Sequence, residues 1–186
     1  MTQFYRVLVD PNATDRLYLK APVNSNGREV DPRIFTSGTR YDGELPLKLP
    51  LRREGKPVDF NFCDFDLIVT PKHLNEALQE LVGDSIQRIS IEIEASNTLY
   101  EILNVLDTVE CVNEEKSEFT KWALGDGRSD KVGQFRMITR LFIDQEKARS
   151  HNMFRINEWK IALIVDGQVK SLLEKINVTG IVFQPV

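Results

Sequence analysis

Thiols and imidazoles are scarce in this chain: two cysteines and two histidines in 186 residues. Cys63 and Cys111 cannot build a disulfide framework, and their apolar neighbours suit packed thiols. His73 and His151 leave few choices for a general base or a zinc cage. No apolar run approaches the length of a membrane span, and "MTQFYRVLVD" lacks the charged-then-apolar pattern of a signal peptide. The expected location is therefore the cytoplasm, with no membrane partner. GxGxxG, Walker A, GxSxG and HExxH are all absent, so no catalytic residue, cofactor or metal is expected from a motif. Net positive charge is also missing. A balance of −4 argues against nonspecific binding of nucleic acid, and the basic "LRREGK" reads as a solvated loop.

Low-complexity tracts and Ser/Gly linkers are absent too, which predicts one domain over residues 1–186. Its first part, 1–58, is turn-rich: "DPNATD", "APVNSNGREVDP" and "TSGTRYDGELP" separate short alternating segments such as "FYRVLV" and "RLYLK". A β-rich, irregular N-terminal third is expected to pack on a core over 59–186.

Within that core, "VDFNFCDFDLIV" reads as an extended segment with Cys63, Phe65, Leu67 and Val69 on one face. In "TPKHLNEALQELVGD", Thr70 is the expected N-cap and Pro71 the first helical residue. Leu74, Ala77, Leu78 and Leu81 have the spacing of one buried helix face, and Gly83 ends it. The C-terminal part repeats this grammar. "KIALIV" is a strand, Asp166 a cap, and Val169, Leu172, Leu173 and Ile176 a helix face before the strand "IVF". Two strand–helix–strand modules are inferred, with "TLYEILNVL", "QFRMITRLFID" and "NMFRINEWKIALIV" as further strands. The fold class is α+β: a single mixed domain with a mainly antiparallel sheet and two or three helices. Strands such as "RMITRLFID" and "KIALIV" admit a homodimer through a sheet edge.

The chemistry offered is thin. A Cys63–His73 pair is outweighed by a buried structural cysteine, because Asp64 and Asp66 oppose a thiolate. "CDFD" with His73 does not make a convincing ligand set. "GDGRSD" lacks the series and the closing glutamate of a calcium loop.

The stretch "YEILNVLDTVECVNEEKSEF" is richer. Tyr100 to Val105 is apolar on both faces, the mark of a buried strand. Beyond it, Asn113 is a competent N-cap, with Glu114 and Glu115 in the first turn of a helix. Carboxylates thus gather at one strand–helix junction.

Together with "LIVTPKHLNEALQELVGDSIQRI", "RLFID", "IALIV" and "VKSLLEKINVTGIVF", this stretch resembles a bacterial immunity-protein family. Its members carry a "YyvLNvl.vvDavD.e.S.f" centre and end in "tGi.F", and occur beside polymorphic or contact-dependent toxins, notably in myxobacteria. The resemblance covers roughly residues 60 to 186, with a looser match before that. Glu110 and Asn113 stand where the family pattern has aspartates, and a position that accepts Asn is not an obligatory general acid. The resemblance implies a binding protein that holds a cognate toxin and occludes its active site. Asp107, Glu110, Glu114, Glu115, Glu118 and Trp122 are the expected toxin contacts. An enzyme that reverses the toxin's modification, or a binding module unrelated to toxins, are the competing readings.

Overall fold

In the computed structural model, which describes residues 3–94, 96 and 98–186, hydrophobic periodicity assigns most elements. The strands are β1 (Phe4–Val9), β2 (Tyr18–Leu19), β3 (Leu47–Leu49), β4 (Leu51–Arg53), β5 (Asn61–Phe62), β6 (Ile68–Pro71) and β7 (Ile86–Ile93). They continue with β8 (Tyr100–Val105), β9 (Thr108–Val109), β10 (Glu118–Lys121), β11 (Phe135–Arg140), β12 (Met153–Ile156), β13 (Trp159–Asp166) and β14 (Ile181–Pro185). The helices are α1 (Lys72–Val82), α2 (Gln145–Ala148) and α3 (Gly167–Lys175). The chain is a mixed α+β domain, as its patterning predicts.

Two five-stranded sheets carry the fold, in the orders β3-β7-β8-β6-β5 and β14-β1-β13-β12-β9. Both expected strand–helix–strand modules form, and they share a topology. In the first, α1 links β6 to β7, and β8 lies antiparallel between them. In the second, α3 links β13 to β14, and β1 lies antiparallel between them. Each is a split β-α-β unit. The difference is where the central strand comes from. The first module takes the strand that follows it, whereas the second takes one from the chain's N-terminal end.

Alternation along each strand decides which core it serves. Leu103 and Val105 of β8 and Leu163 and Val165 of β13 join Leu74, Leu78, Val169 and Leu173 in a central core shared by both sheets and both helices. The opposite face of β8, Tyr100 and Ile102, packs with Phe35 and Leu19 from the N-terminal part. Ala162 and Ile164 of β13 pack with Phe135, Ile138, Cys111 and Ala148. Every residue of β8 is buried, as its two-sided apolar pattern requires. Gly180, in "NVTGIVF", sits at φ +92°, and a Cβ there would stand 2.6 Å from the Phe60 carbonyl. Only glycine fits that close approach.

Three local expectations are corrected. Thr70 does not cap α1: it is the third residue of β6, and its hydroxyl donates to Asn75 Oδ1 at 2.6 Å. Pro71 occupies the cap position, while Gly83 at φ +57° ends the helix as expected. "VDFNFCDFDLIV" is not one strand but the β5–β6 hairpin, closed by a turn over Asp64–Asp66. Phe65 and Asp66 turn the chain there through the left-handed region, at φ 56° and 59°. Lastly, Asn113 starts a single turn instead of a helix. Its Oδ1 accepts from the Lys116 N–H at 3.1 Å, and β10 follows at once. The Ser117 hydroxyl bonds both the carbonyl and the N–H of Phe142, at 3.1 and 2.9 Å, which commits the chain to the β10–β11 hairpin.

Asn75 belongs to a buried polar network that seats α1 on its sheet. Its amide donates to Glu101 Oε2 at 3.1 Å. Arg88 grips both oxygens of that carboxylate, at 2.8 and 2.9 Å. Glu101 is 4% exposed, so removing its cation strands a charge out of water. Arg88→Ala should therefore destabilise the fold by about 3 kcal/mol. Urea denaturation checks this, and Glu101→Gln in the same background should recover part of the loss.

Candidate functional site

The β12–β13 hairpin turns at Asn157 and Glu158, and one buried side chain fixes what surrounds it. Arg155 is fully buried. Its Nη1 donates to the Lys160 carbonyl at 2.7 Å and its Nη2 to the Asp66 carbonyl at 2.9 Å. Its backbone N–H donates to the Asp107 carbonyl at 2.9 Å. One residue therefore ties the hairpin to the Asp64–Asp66 turn of the other sheet and to the crossing between β8 and β9. Lys160 extends the tie, because its ammonium donates to the Ser37 carbonyl at 2.7 Å.

Two cavities open around this hairpin. The larger, about 620 Å³, is bounded by Phe65, Asp66, Trp159, Lys160 and Ile161, with Arg33 and Lys131 at its rim. The smaller, about 240 Å³, is lined by Glu110, Glu114, Glu115 and Glu158 against, among the described residues, a single cation, Lys147, with Cys111 and Val112 also contributing. Phe135 and Glu158 line both, so the two cavities adjoin and make up the groove at this hairpin. Glu114 is paired with Lys121 at 2.7 Å. Among the described residues, Glu110, Glu115 and Glu158 form no ion pair.

The expected contact residues divide accordingly. Glu110, Glu114 and Glu115 meet in the smaller cavity. Glu118 is exposed on β10 opposite Arg140, 3.8 Å away. Trp122 lies beneath Arg136, whose guanidinium carbon is 4.8 Å from the ring centre, at the far end of the same hairpin. Asp107 is elsewhere, half-buried at the β8–β9 crossing. There one carboxylate oxygen receives the Ser85 hydroxyl and the His151 ring nitrogen, each at 2.9 Å. Serine and histidine bind the same oxygen instead of forming a relay, so the cluster fastens the crossing and does not activate a nucleophile. Burial pushes the thiols of Cys63 and Cys111 up to about 12, which keeps them protonated near neutral pH.

Glu158, Phe65 and Asp66 escape a linear reading. Glu158 had a signal: "INEW" is a polar break inside "NMFRINEWKIALIV", as a hairpin turn requires. Nothing in "CDFDL" distinguishes a left-handed turn from a strand.

Burial raises the Asp66 carboxyl above the ordinary range, and the nearby Arg155 and Arg6 charges offset this only in part. The same burial lowers Arg155 to about 10. The folded protein therefore holds the Asp66 proton more tightly than the unfolded chain. Stability contributed at this residue is greatest at low pH and falls as pH rises through the folded value. Asp66→Asn, which also tolerates the left-handed turn, should be more stable than the parent at pH 7. The difference should shrink as pH falls below the carboxylate range, as thermal denaturation across pH would show.

Comparison with known families gives a match. The model described as an immunity protein family (Imm11) matches residues 93–186. No curated protein matches the chain. The matched span begins later than the resemblance read from the sequence, and it contains all four carboxylates of the smaller cavity.

Proposed function

The chain belongs to the immunity protein family (Imm11), and we propose that it binds a cognate bacterial toxin in the cytoplasm and neutralises it by covering the toxin's active site. The observation that carries this reading is the concentration of Glu110, Glu114, Glu115 and Glu158 around the smaller cavity, which has a single lysine among its described lining residues. Such a surface complements a basic cleft, and charge complementarity speeds encounter and excludes wrong partners. Glu118 and Trp122, on the adjoining hairpin, extend the contact. Asp107, already engaged by Ser85 and His151, supports the surface from within. The two buried, protonated thiols and the non-relay arrangement at Asp107 favour protection by binding over protection by chemistry.

No described helix is long and apolar enough to cross a membrane, which is compatible with action on a partner in solution. A blocker must match its toxin about one to one, whereas an enzyme would protect at much lower amounts.

Glu110, Glu115 and Glu158 make suitable probes because their reversal breaks no internal ion pair. Glu110→Lys, Glu115→Lys and Glu158→Lys combined should slow association with the cognate toxin by about tenfold or more at low salt. The gap should narrow as ionic strength rises. Stopped-flow association and growth rescue on co-expression check this. Unchanged association with a folded variant, or rescue without a complex, would dispose of the blocking mechanism.

A further inference from the structure

The groove's apolar end has a feature that the fold itself does not use. Phe65 is 59% exposed at the lip of the larger cavity, and it occupies the left-handed region at φ 56°, ψ 37°. A bulky aromatic is an outlier there, since its Cβ crowds the backbone and glycine or asparagine would be less strained. An exposed ring also gives up little water to the core. Position 65 thus combines a strained backbone with an unburied apolar side chain, and neither helps the isolated domain.

Several groups nonetheless hold that ring in place. Arg155 anchors the carbonyl of the next residue from a fully buried position. The Cys63 N–H closes the turn on the Leu67 carbonyl at 2.8 Å. The Arg33 guanidinium lies 5.1 Å from the ring centre. Ile161, 47% exposed, lines the same cavity, with Trp159 beside it. A rigid aromatic and an aliphatic side chain lining one cavity, together with polar groups, have the composition of a binding anchor.

We infer that Phe65 and Ile161 form the desolvated anchor of the toxin interface, receiving a toxin segment that projects an apolar side chain onto them and a lysine or arginine into the carboxylate pocket. This rests on the immunity reading above. The choice of occupant follows from charge. The two cavities adjoin at Phe135 and Glu158; the smaller presents Glu110, Glu115 and Glu158, none of them ion-paired among the described residues, beside Lys147, and the larger presents the two exposed apolar side chains with Arg33, Lys131 and Lys160 in its lining. A segment bearing only apolar groups would leave the carboxylates desolvated without a partner, and a wholly basic one would leave Phe65 in water. An alternating apolar–basic segment satisfies both ends.

The test uses the full chain and a purified toxin domain whose growth inhibition the chain relieves on co-expression, with binding measured by biolayer interferometry. Phe65→Asn removes the ring and suits the backbone. It should keep or raise the melting temperature while weakening the toxin complex about 30-fold. Ile161→Ser should weaken it about tenfold. A photo-crosslinking phenylalanine analogue at position 65 should capture the toxin, and the same analogue at exposed Leu99, beside the start of α1, should not. The captured toxin peptide should carry a lysine or arginine next to an apolar residue. If the parent chain binds and both substitutions bind equally well, or crosslinking fails at 65, the anchor is wrong while the immunity reading stands. If the parent chain does not bind the toxin domain, both fall together.

Discussion

A single guanidinium sets the geometry on which the groove depends. Arg155 is buried to the last atom, yet it spends its donors on two backbone carbonyls that belong to different sheets. Arginine suits this place because its planar fork reaches two acceptors at fixed angles, which an ammonium on a flexible stem cannot do. Burying the cation is costly, and the charge of Asp66 compensates only in part. Among the described residues, the Nε has no partner. What the arrangement secures is position: the Asp64–Asp66 turn, the start of β13 and the β8–β9 crossing are held to one another.

The surrounding architecture explains why such a tie is needed there. Each sheet is built on a split β-α-β unit, and the two units share one core through α1 and α3. The chain passes from one sheet to the other at Leu106 and Asp107, where the strand pairing of β8 ends and that of β9 begins. Ser85 and His151 fasten Asp107 from either side. The stretch Tyr100–Phe119 therefore has three tasks. It is a central strand, then a sheet-to-sheet crossing, then an acidic turn at the groove. The family-matched residues supply the carboxylates, while Phe65 comes from the chain before them.

Much of this was legible in the sequence wherever one periodicity governed. Leu74, Leu78, Val169 and Leu173 announce the two helices, and the two-sided apolar run of β8 announces its central place. Failures occurred where a side chain competed with the regular pattern. Thr70 found Asn75 instead of the helix terminus. Ser117 clamped Phe142 and turned an expected helix into a hairpin strand. Phe65 entered a conformation that its residue type disfavours, sustained by bonds from residues far along the chain. For the site, Glu110, Glu114 and Glu115 could be grouped from sequence because they are neighbours. Glu158 could not, since only the pairing of β12 with β9 brings it to them.

The central claim is that one face, the groove around the β12–β13 turn, meets the toxin. Hydrogen–deuterium exchange of the chain, alone and with its toxin, tests it most directly. Binding is expected to slow exchange at residues 63–67, 110–116 and 157–161 and to leave the opposite end, around α1 and β14, unchanged. Protection confined to α1, α3 or β14, with none at the groove, would contradict it.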